Sequence, residues 1–471
     1  MDIKKLTVNQ NQTIKNTMKT IDQNSLGLSF IVDDQNKLVG VATDGDIRRA
    51  VLKGLNLKEK IKKIMTKNPV TVKKGWTEEK IKHLLKQKDV KRKTPTHGTI
   101  KIPVVNKKNE IIDLIFASKN QIETFSKNKN TQNNKTHAIN NILIVGGAGY
   151  LGSILSRKLL EKNYHVRVLD NLTYGDHGIK ELYDHPRFEF IKGDMRNIQT
   201  LVEAVKNIDS VIHLAALVGD PASAINPEET IQINYLATKT LAEVCKYSQI
   251  NRFIFASTCS VYGASPTPET KIEENSQLNP VSLYAEMKLK SEEALFEISD
   301  ENFKPTILRM ATLYGLSPRM RFDLVVNILS IKALKEKEFT IFGGKQWRPL
   351  LHIKDAADAY IECLENPLST SGKQIFNVGS NHENYQIIDV GKTVKEIMPQ
   401  AEMKIDKQNV DERNYNVSFD KIHKTLDYTT MFSIDDGIKE IKKAVMDENK
   451  FTDYPNQVYN NYSFLKNNSN H

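Results

Sequence analysis

Three observations predict an α/β fold built on a doubly wound parallel sheet. Short apolar runs alternate with helix-like runs through the middle of the chain. The first of them, in NILIVGGAGYLG (Asn141 to Gly152), ends in glycines three apart and opens a helix. The alternation loosens from about Asp323 onward, as expected where a C-terminal lobe is added to such a sheet. At 471 residues the chain exceeds the roughly 100–200 of one domain, and the glycine loop begins late. We therefore expect a small α+β module over residues 1–119, a flexible linker over 120–139, the main domain over 140–450 and a C-terminal tail over 451–471.

In the front module, strand-like runs at Ser29–Val32, Leu38–Ala42, Ile102–Val105 and Glu110–Phe116 alternate with helix-like runs at Asp46–Leu52 and Thr77–Lys88. The segment QIETFSKNKNTQNNKTHAIN is rich in Asn, Lys, Thr and Gln and has no apolar periodicity, hence the linker. Beyond it the predicted strands are Ile142–Val145, Val166–Leu169, Phe188–Ile191, Ser210–Leu214, Arg252–Ala256 and Thr306–Arg309, with a helix over Tyr150–Lys162.

Charge is uneven along the chain. Residues 1–139 carry 29 Lys+Arg against 13 Asp+Glu, and the remainder 38 against 44. The basic front lacks interleaved aromatics or a DNA-binding motif, so nucleic acid is not an expected partner. No apolar run approaches the ~18 residues of a membrane span, and the N-terminus has no signal-peptide core. A cytoplasmic protein is expected. Cys245, Cys259 and Cys363 are too few and too scattered for a disulfide framework or a zinc site.

Gly146, Gly149 and Gly152 follow a buried strand and precede a helix. Glycine there lets the backbone turn tightly and approach a pyrophosphate, whose charge then meets the helix N-terminal N–H groups. Asp170 ends the next strand, where its carboxylate can accept hydrogen bonds from both ribose hydroxyls of NAD and would repel a 2′-phosphate. NAD is thus the expected cofactor. Further on, FASTCSVYG (255–263) closes a strand and YAEMK (Tyr284 to Lys288) opens a helix. Tyr284 and Lys288, four apart, share one helical face. An ammonium beside a phenol favours the phenolate and would pull its pKa from about 10 toward neutrality. The Thr258 hydroxyl could share the proton.

With GGAGYLG, LDN (169–171), GDMR (193–196), HLAA (213–216), Asn234, STCSVYG, YAEMK and FGGKQWRPLLHIKD (342–355), residues 140–445 resemble the extended short-chain dehydrogenase/reductases, specifically their nucleotide-sugar epimerases and dehydratases. The resemblance implies a Rossmann sheet. It also implies Tyr284 as acid/base with Thr258 and Lys288, and a cofactor site of Gly146, Gly149, Tyr150, Leu151, Gly152, Asp170, Asn171, Asp194, Met195, Ala215 and Lys288. A substrate site would draw on Ser223, Asn234, Thr312, Arg321, Arg348 and Arg413, the last two clamping a nucleotide-sugar diphosphate. A homodimer or higher homo-oligomer is expected. His213 is expected to pack at its strand end, and Cys259 to be a small buried residue.

The family's 4,6-dehydratases follow the active-site threonine with Asp-Glu, and its decarboxylases keep the glutamate. Here Cys259 and Ser260 stand in those places, and neither is a carboxylic acid near neutral pH. Epimerisation through a transient keto sugar, at carbon 4, needs only the Tyr/Lys/Thr set. Reduction of a ready-made keto sugar uses the same residues and stays open, as do dehydration of a sugar nucleotide and a non-catalytic nucleotide sensor. Thr312, Arg319 and Arg321, in LRMATLYGLSPRMRFD, depart from the pattern of many epimerases. Uridine, thymidine and guanosine diphosphate sugars all remain possible.

In the front module LVGVATDGDIRRAVL (38–52) resembles the end of a CBS motif, the paired module that often binds adenosine nucleotides. Thr43 and Asp46 would serve phosphate and ribose. IMTKNPVTV (64–72) resembles the start of a second copy, whose end departs: Asp113, Phe116 and Lys119 stand where Gly, Thr and Asp would be needed. The resemblance implies one nucleotide pocket at most, or a module that only dimerises.

Overall fold

The computed structural model describes residues 6–24, 27–52, 54–77, 81, 100–117, 122–124, 139–265, 270–408, 411 and 413–468. Most of the helix expected over 77–88, most of the linker expected over 120–139, and Lys119 lie outside them. The chain divides into two compact units, Met1–His137 and Ala138–His471.

The first unit holds two four-stranded sheets. One runs β1 (Thr7–Asn9), β2 (Leu28–Val32), β3 (Leu38–Thr43) and β4 (Thr66–Lys67), with helices α1 (Ile14–Asn24) and α2 (Asp44–Leu52). The other runs β5 (Val72–Lys73), β6 (Ile100–Val105), β7 (Ile111–Ala117) and β8 (Ile122–Thr124). Strand β8 lies inside the stretch read as linker. Ile122 pairs opposite Ala117, an edge pairing for which three residues suffice and which leaves no apolar period. At the turn from β3 to α2, Thr43 and Asp46 bond to each other. The Thr43 hydroxyl donates to Asp46 Oδ2 at 2.8 Å, and the Asp46 N–H donates back to the Thr43 hydroxyl at 3.1 Å. This reciprocal cap satisfies the start of α2. Arg49 holds the other Asp46 oxygen at 2.6 Å. The pair expected to face a nucleotide is therefore engaged within its own turn.

In the second unit the sheet is β11 (Phe188–Lys192), β10 (His165–Asp170), β9 (Asn141–Val145), β12 (Ser210–His213), β13 (Arg252–Thr258), β14 (Lys304–Met310) and β15 (Gln374–Val378), in that order and all parallel. Helices covering both faces require strands apolar on both. Strand β9 shows it: Ile142 and Ile144 feed one core with Leu155, Leu159 and Phe376, while Leu143 and Val145 feed the other with Leu201, Val211 and Phe253. The order reverses between β9 and β12. At such a switch point the two neighbouring loops part and leave a crevice beyond the carboxyl ends of the strands.

Strand β15 departs from the sequence reading. The chain leaves for the lobe near residue 323 and returns at Gln374 to pair with β14 before leaving again. The lobe has its own core, where α5 (Val325–Lys335), α6 (Ile387–Ile397) and α7 (Ile434–Met446) bury Val326, Val390, Ile434 and Ile438 around Phe339 and Ile341. Residues 451–468, read as a tail, pack on this lobe. Phe451, Tyr454 and Tyr459 surround Phe322 with ring centroids 5.0–5.6 Å away, and helix α8 (Asn461–Asn468) follows. Among the described residues no helix is long and apolar enough to cross a membrane, and no group of three or more His, Cys, Asp or Glu could hold a metal ion.

Candidate active site

A cavity of about 320 Å³ opens at the switch point. Gly146 turns at φ 88°, and a side chain there would come within 2.5 Å of the Ala215 nitrogen on the loop after β12. Glycine is thus required twice over, by conformation and by contact. At Gly152 a Cβ would meet the Gly146 carbonyl oxygen at 2.5 Å, so the helix α3 (Tyr150–Glu161) can seat against the loop only without one. Gly149 differs: a side chain would find only the Gly146 oxygen, at 3.5 Å. It caps α3 with no side-chain hydrogen bond, leaving the helix's first N–H groups and its positive end toward the cavity.

Asp170 sits at the end of β10 beside this loop. Its carboxylate accepts the Ala148 N–H at 3.0 Å and the Leu172 N–H at 2.9 Å, and burial raises its pKa. Asn171, Asp194, Met195, Ala215, Leu151 and Tyr150 complete this end of the cavity. Asp194 is clasped by Arg196 at 2.6 Å, which lowers its pKa. The Tyr150 phenol is turned into the lobe, donating to the Gly315 carbonyl at 2.5 Å and accepting from Asn327 at 3.0 Å. That hydroxyl is committed to joining α3 to the lobe.

The far end holds Thr258, Tyr284 and Lys288, all on the cavity wall. Thr258 ends β13, where its hydroxyl accepts the Ser260 N–H at 3.1 Å and stands close enough to the Tyr284 phenol to favour the phenolate. Ser282 caps α4 (Leu283–Glu297) by accepting from the Ala285 N–H at 3.2 Å, which sets Tyr284 in the first turn and Lys288 one turn below. The Lys288 ammonium donates to the Ala256 carbonyl at 2.7 Å and lies 4.7 Å over the Phe255 ring.

The expected lowering of the phenol pKa is not what the geometry gives. Burial pushes Tyr284 above its ordinary value, with Asp220 adding to the rise while Arg321 and Thr258 oppose it. Lys288 aims at a backbone carbonyl, its nitrogen 6.0 Å from the centre of the Tyr284 ring. Burial also lowers its own pKa to about 7, against a smaller upward pull from Glu292. The ammonium is thus directed at a backbone carbonyl and not at the phenol oxygen.

The residues expected at the substrate end divide into two groups. Thr312, Arg321 and Arg413 line the cavity; Ser223, Asn234 and Arg348 do not. Ser223 is buried and donates to the Asp220 carbonyl at 3.0 Å, closing its own short helix. Asn234 accepts the Leu217 N–H at 2.8 Å and donates to the Leu217 carbonyl at 2.9 Å. It thereby fixes the cavity loop from a π-helical turn, Gln232–Leu236, whose loosened carbonyl takes the Ser291 and Thr238 hydroxyls instead. Arg348 stands one layer back, reaching Asp411 at 2.9 Å and also bonding the Arg413 carbonyl. Asp411 in turn holds Arg413 at 2.5 Å, and Asp220 holds it at 2.8 Å. Arg321 is paired with Asp323 through two bonds of 2.8 and 2.9 Å. His213 packs between Phe253 and Phe255 with Nε2 2.9 Å from the Thr238 hydroxyl, and Cys259 is buried.

Residues 142–379 match the model of the NAD dependent epimerase/dehydratase family. The chain belongs to that family. Residues 1–53 match the CBS domain. A putative UDP-glucose 4-epimerase of Methanocaldococcus jannaschii is 30% identical over 317 residues, 66% of this chain and 99% of the relative. The solved UDP-glucose 4-epimerase of Thermotoga maritima, with UDP-glucose, superposes with a TM-score of 0.59 at 26% identity, covering 66% of this chain and 100% of that one. The UDP-glucuronic acid 4-epimerase of Bacillus cereus, solved with UDP-glucuronic acid and NAD, gives 0.57 at 29%, covering 64% and 99%.

NAD is the cofactor of this epimerase/dehydratase family member, and the cavity fits it. The side-chain-free cradle at Gly149, the uncapped N-terminus of α3 and the Asp170 carboxylate suit a pyrophosphate and a ribose. The family member's cavity also takes in Tyr174, Tyr360 and Asn461, which the sequence reading left out, and Arg319, which it noted only as a departure from the family pattern. Tyr360 and Asn461 come from helices far along the chain and leave no local signal. Tyr174 stands four residues past Asp170, and Arg319 is a second arginine in a run that already departs from the family.

Proposed function

We propose that the protein is an NAD-dependent epimerase of nucleoside-diphosphate sugars that inverts carbon 4. One observation carries the reading: Thr258, Tyr284 and Lys288 line the same cavity as the glycine loop, so a sugar hydroxyl and a nicotinamide can meet there. Tyr284 takes the proton of the sugar hydroxyl and later returns it, and the Thr258 hydroxyl steadies the same oxygen. NAD, when bound, would supply a reversible hydride acceptor for the sugar carbon, and with the keto sugar turned over between the two transfers the cycle would invert that carbon with no net redox change. Because burial opposes the phenolate, positive charge must favour it, and Arg321 already acts in that sense. No carboxylate follows Thr258; Cys259 and Ser260 are buried there, which supports epimerisation over dehydration. Relatives named as acting on UDP-glucose and UDP-glucuronic acid make these the first substrates to test.

Each sugar nucleotide would be incubated with the purified full chain and the products separated by anion exchange. Interconversion with its 4-epimer is expected. Tyr284→Phe should lower turnover by about 10²–10⁴-fold while bound NAD is retained. NADH consumption with a 4-keto sugar and no epimer formed from any 4-hydroxy sugar nucleotide would overturn the reading in favour of a reductase.

A further inference from the structure

Helix α8 reaches the cavity from the end of the chain. Asn461, 2% exposed, lines the cavity and accepts a 2.6 Å hydrogen bond from Nη2 of Arg319. Its own N–H donates to Asp323 at 3.3 Å. Three residues on, Phe464 packs against Tyr174, ring centroids 5.3 Å apart, and the Arg319 guanidinium lies 4.3 Å over the other partner of that contact, the Tyr174 ring. The chain before the helix is held by the aromatic cluster on Phe322, whose N–H donates to the Tyr459 carbonyl at 2.7 Å.

Arg319 is the unusual member of this arrangement. It is 1% exposed, and its Nε has no hydrogen-bond partner among the described residues. The other two cavity arginines, Arg321 and Arg413, each bind carboxylates. Among the described residues Arg319 forms no such ion pair; an amide oxygen orients it without neutralising it. Asp323 and Asp170 act on it only through space, and a buried cation with no direct counter-ion is costly unless an anion arrives. Two diphosphates are expected in this cavity, and Arg319 stands at the cofactor's end: a Cβ on Gly178 would lie 2.7 Å from the Ala148 carbonyl oxygen of the glycine loop and 3.0 Å from the Arg319 Cβ.

We propose that the C-terminal segment is a working wall of the dinucleotide site, with Asn461 as a positioning residue that presents Arg319 to the cofactor diphosphate and slows cofactor release. A cycle that returns its hydride gains from such retention, since the cofactor need not exchange. The inference itself rests only on NAD binding and not on which sugar is turned over.

The test loads the full chain with NAD and follows its release after dilution into excess ADP-ribose, by separating bound from released NAD at timed intervals. Asn461→Ala and Arg319→Ala should each release NAD at least about tenfold faster, the effect of losing a charge-assisted hydrogen bond. The double variant should be no faster than Arg319→Ala, because one residue acts through the other. Asn461→Asp, close to isosteric, guards against a folding defect and should also speed release by neutralising the guanidinium. Unchanged release in Asn461→Ala and Asn461→Asp, or additive effects in the double variant, would overturn the proposal whatever the sugar assay shows.

Discussion

The two ends of the cavity are built on different principles. At the cofactor end the protein presents mainly backbone: a glycine loop, an uncapped helix start and one carboxylate already satisfied by two N–H groups. At the substrate end it presents charged side chains bound to one another, with Arg348 and Arg413 meeting on Asp411, Arg413 also on Asp220, and Arg321 on Asp323. The first end is preorganised and nearly rigid. At the second, a diphosphate bound as proposed would have to displace internal ion pairs, so its affinity would be a difference between two sets of interactions.

Breaking the rigid end should have the largest effect. Gly146→Val places a branched side chain at φ 88°, where its Cβ would lie 2.5 Å from backbone. NAD affinity measured by titration calorimetry should fall by at least about 100-fold, and retention of near-parental affinity would show that the loop adapts.

Asp411→Asn sharpens the contrast with a smaller effect of opposite sign. Under the proposed function Asp411 would compete with the substrate diphosphate for Arg413, so its neutralisation should tighten nucleotide-sugar binding by about two- to fivefold, the scale of a solvent-screened ion pair. Melting temperature should fall as two arginines lose their common partner. Weaker binding would mean that Asp411 orients the arginines instead of competing for them.

The smallest effect concerns Lys288. With a folded-state pKa of about 7 against an ordinary 10.5, its charged form is disfavoured by folding. Between those values the unfolded chain binds more protons, so this residue's contribution to stability rises with pH across that window and its penalty is full below it. Lys288→Met should therefore raise the melting temperature relative to the parent more at pH 6 than at pH 10. Equal differences at both pH values would place the lysine's pKa near normal.

The glycine loop, Asp170 and the Tyr/Lys/Thr set were legible in the sequence because each depends on local geometry: a turn between strand and helix, a strand end, four residues on one helical face. Strands β9 to β14 were legible as apolar runs flanked by turns. Strand β15 was not, since Gln374–Val378 joins the sheet only through its pairing with β14, after an excursion through the lobe. Ser223 and Arg348 were expected in the site from the family resemblance alone, yet the fold turns one into its own helix and sets the other behind Arg413.

The chain by itself determined a dinucleotide crevice and the chemical groups at its mouth, because backbone reach and helical periodicity act over a few residues. Beyond the local pairs Arg321–Asp323 and Arg413–Asp411, which charges are compensated was decided by tertiary structure. Asp411 meets Arg348 across 63 residues of chain and Asn461 meets Arg319 across 142, and no spacing rule reports on pairs so distant. That compensation matters most at a ligand site, where a neutralised arginine and a waiting one are the same letter in sequence but differ in the free energy they offer an arriving anion.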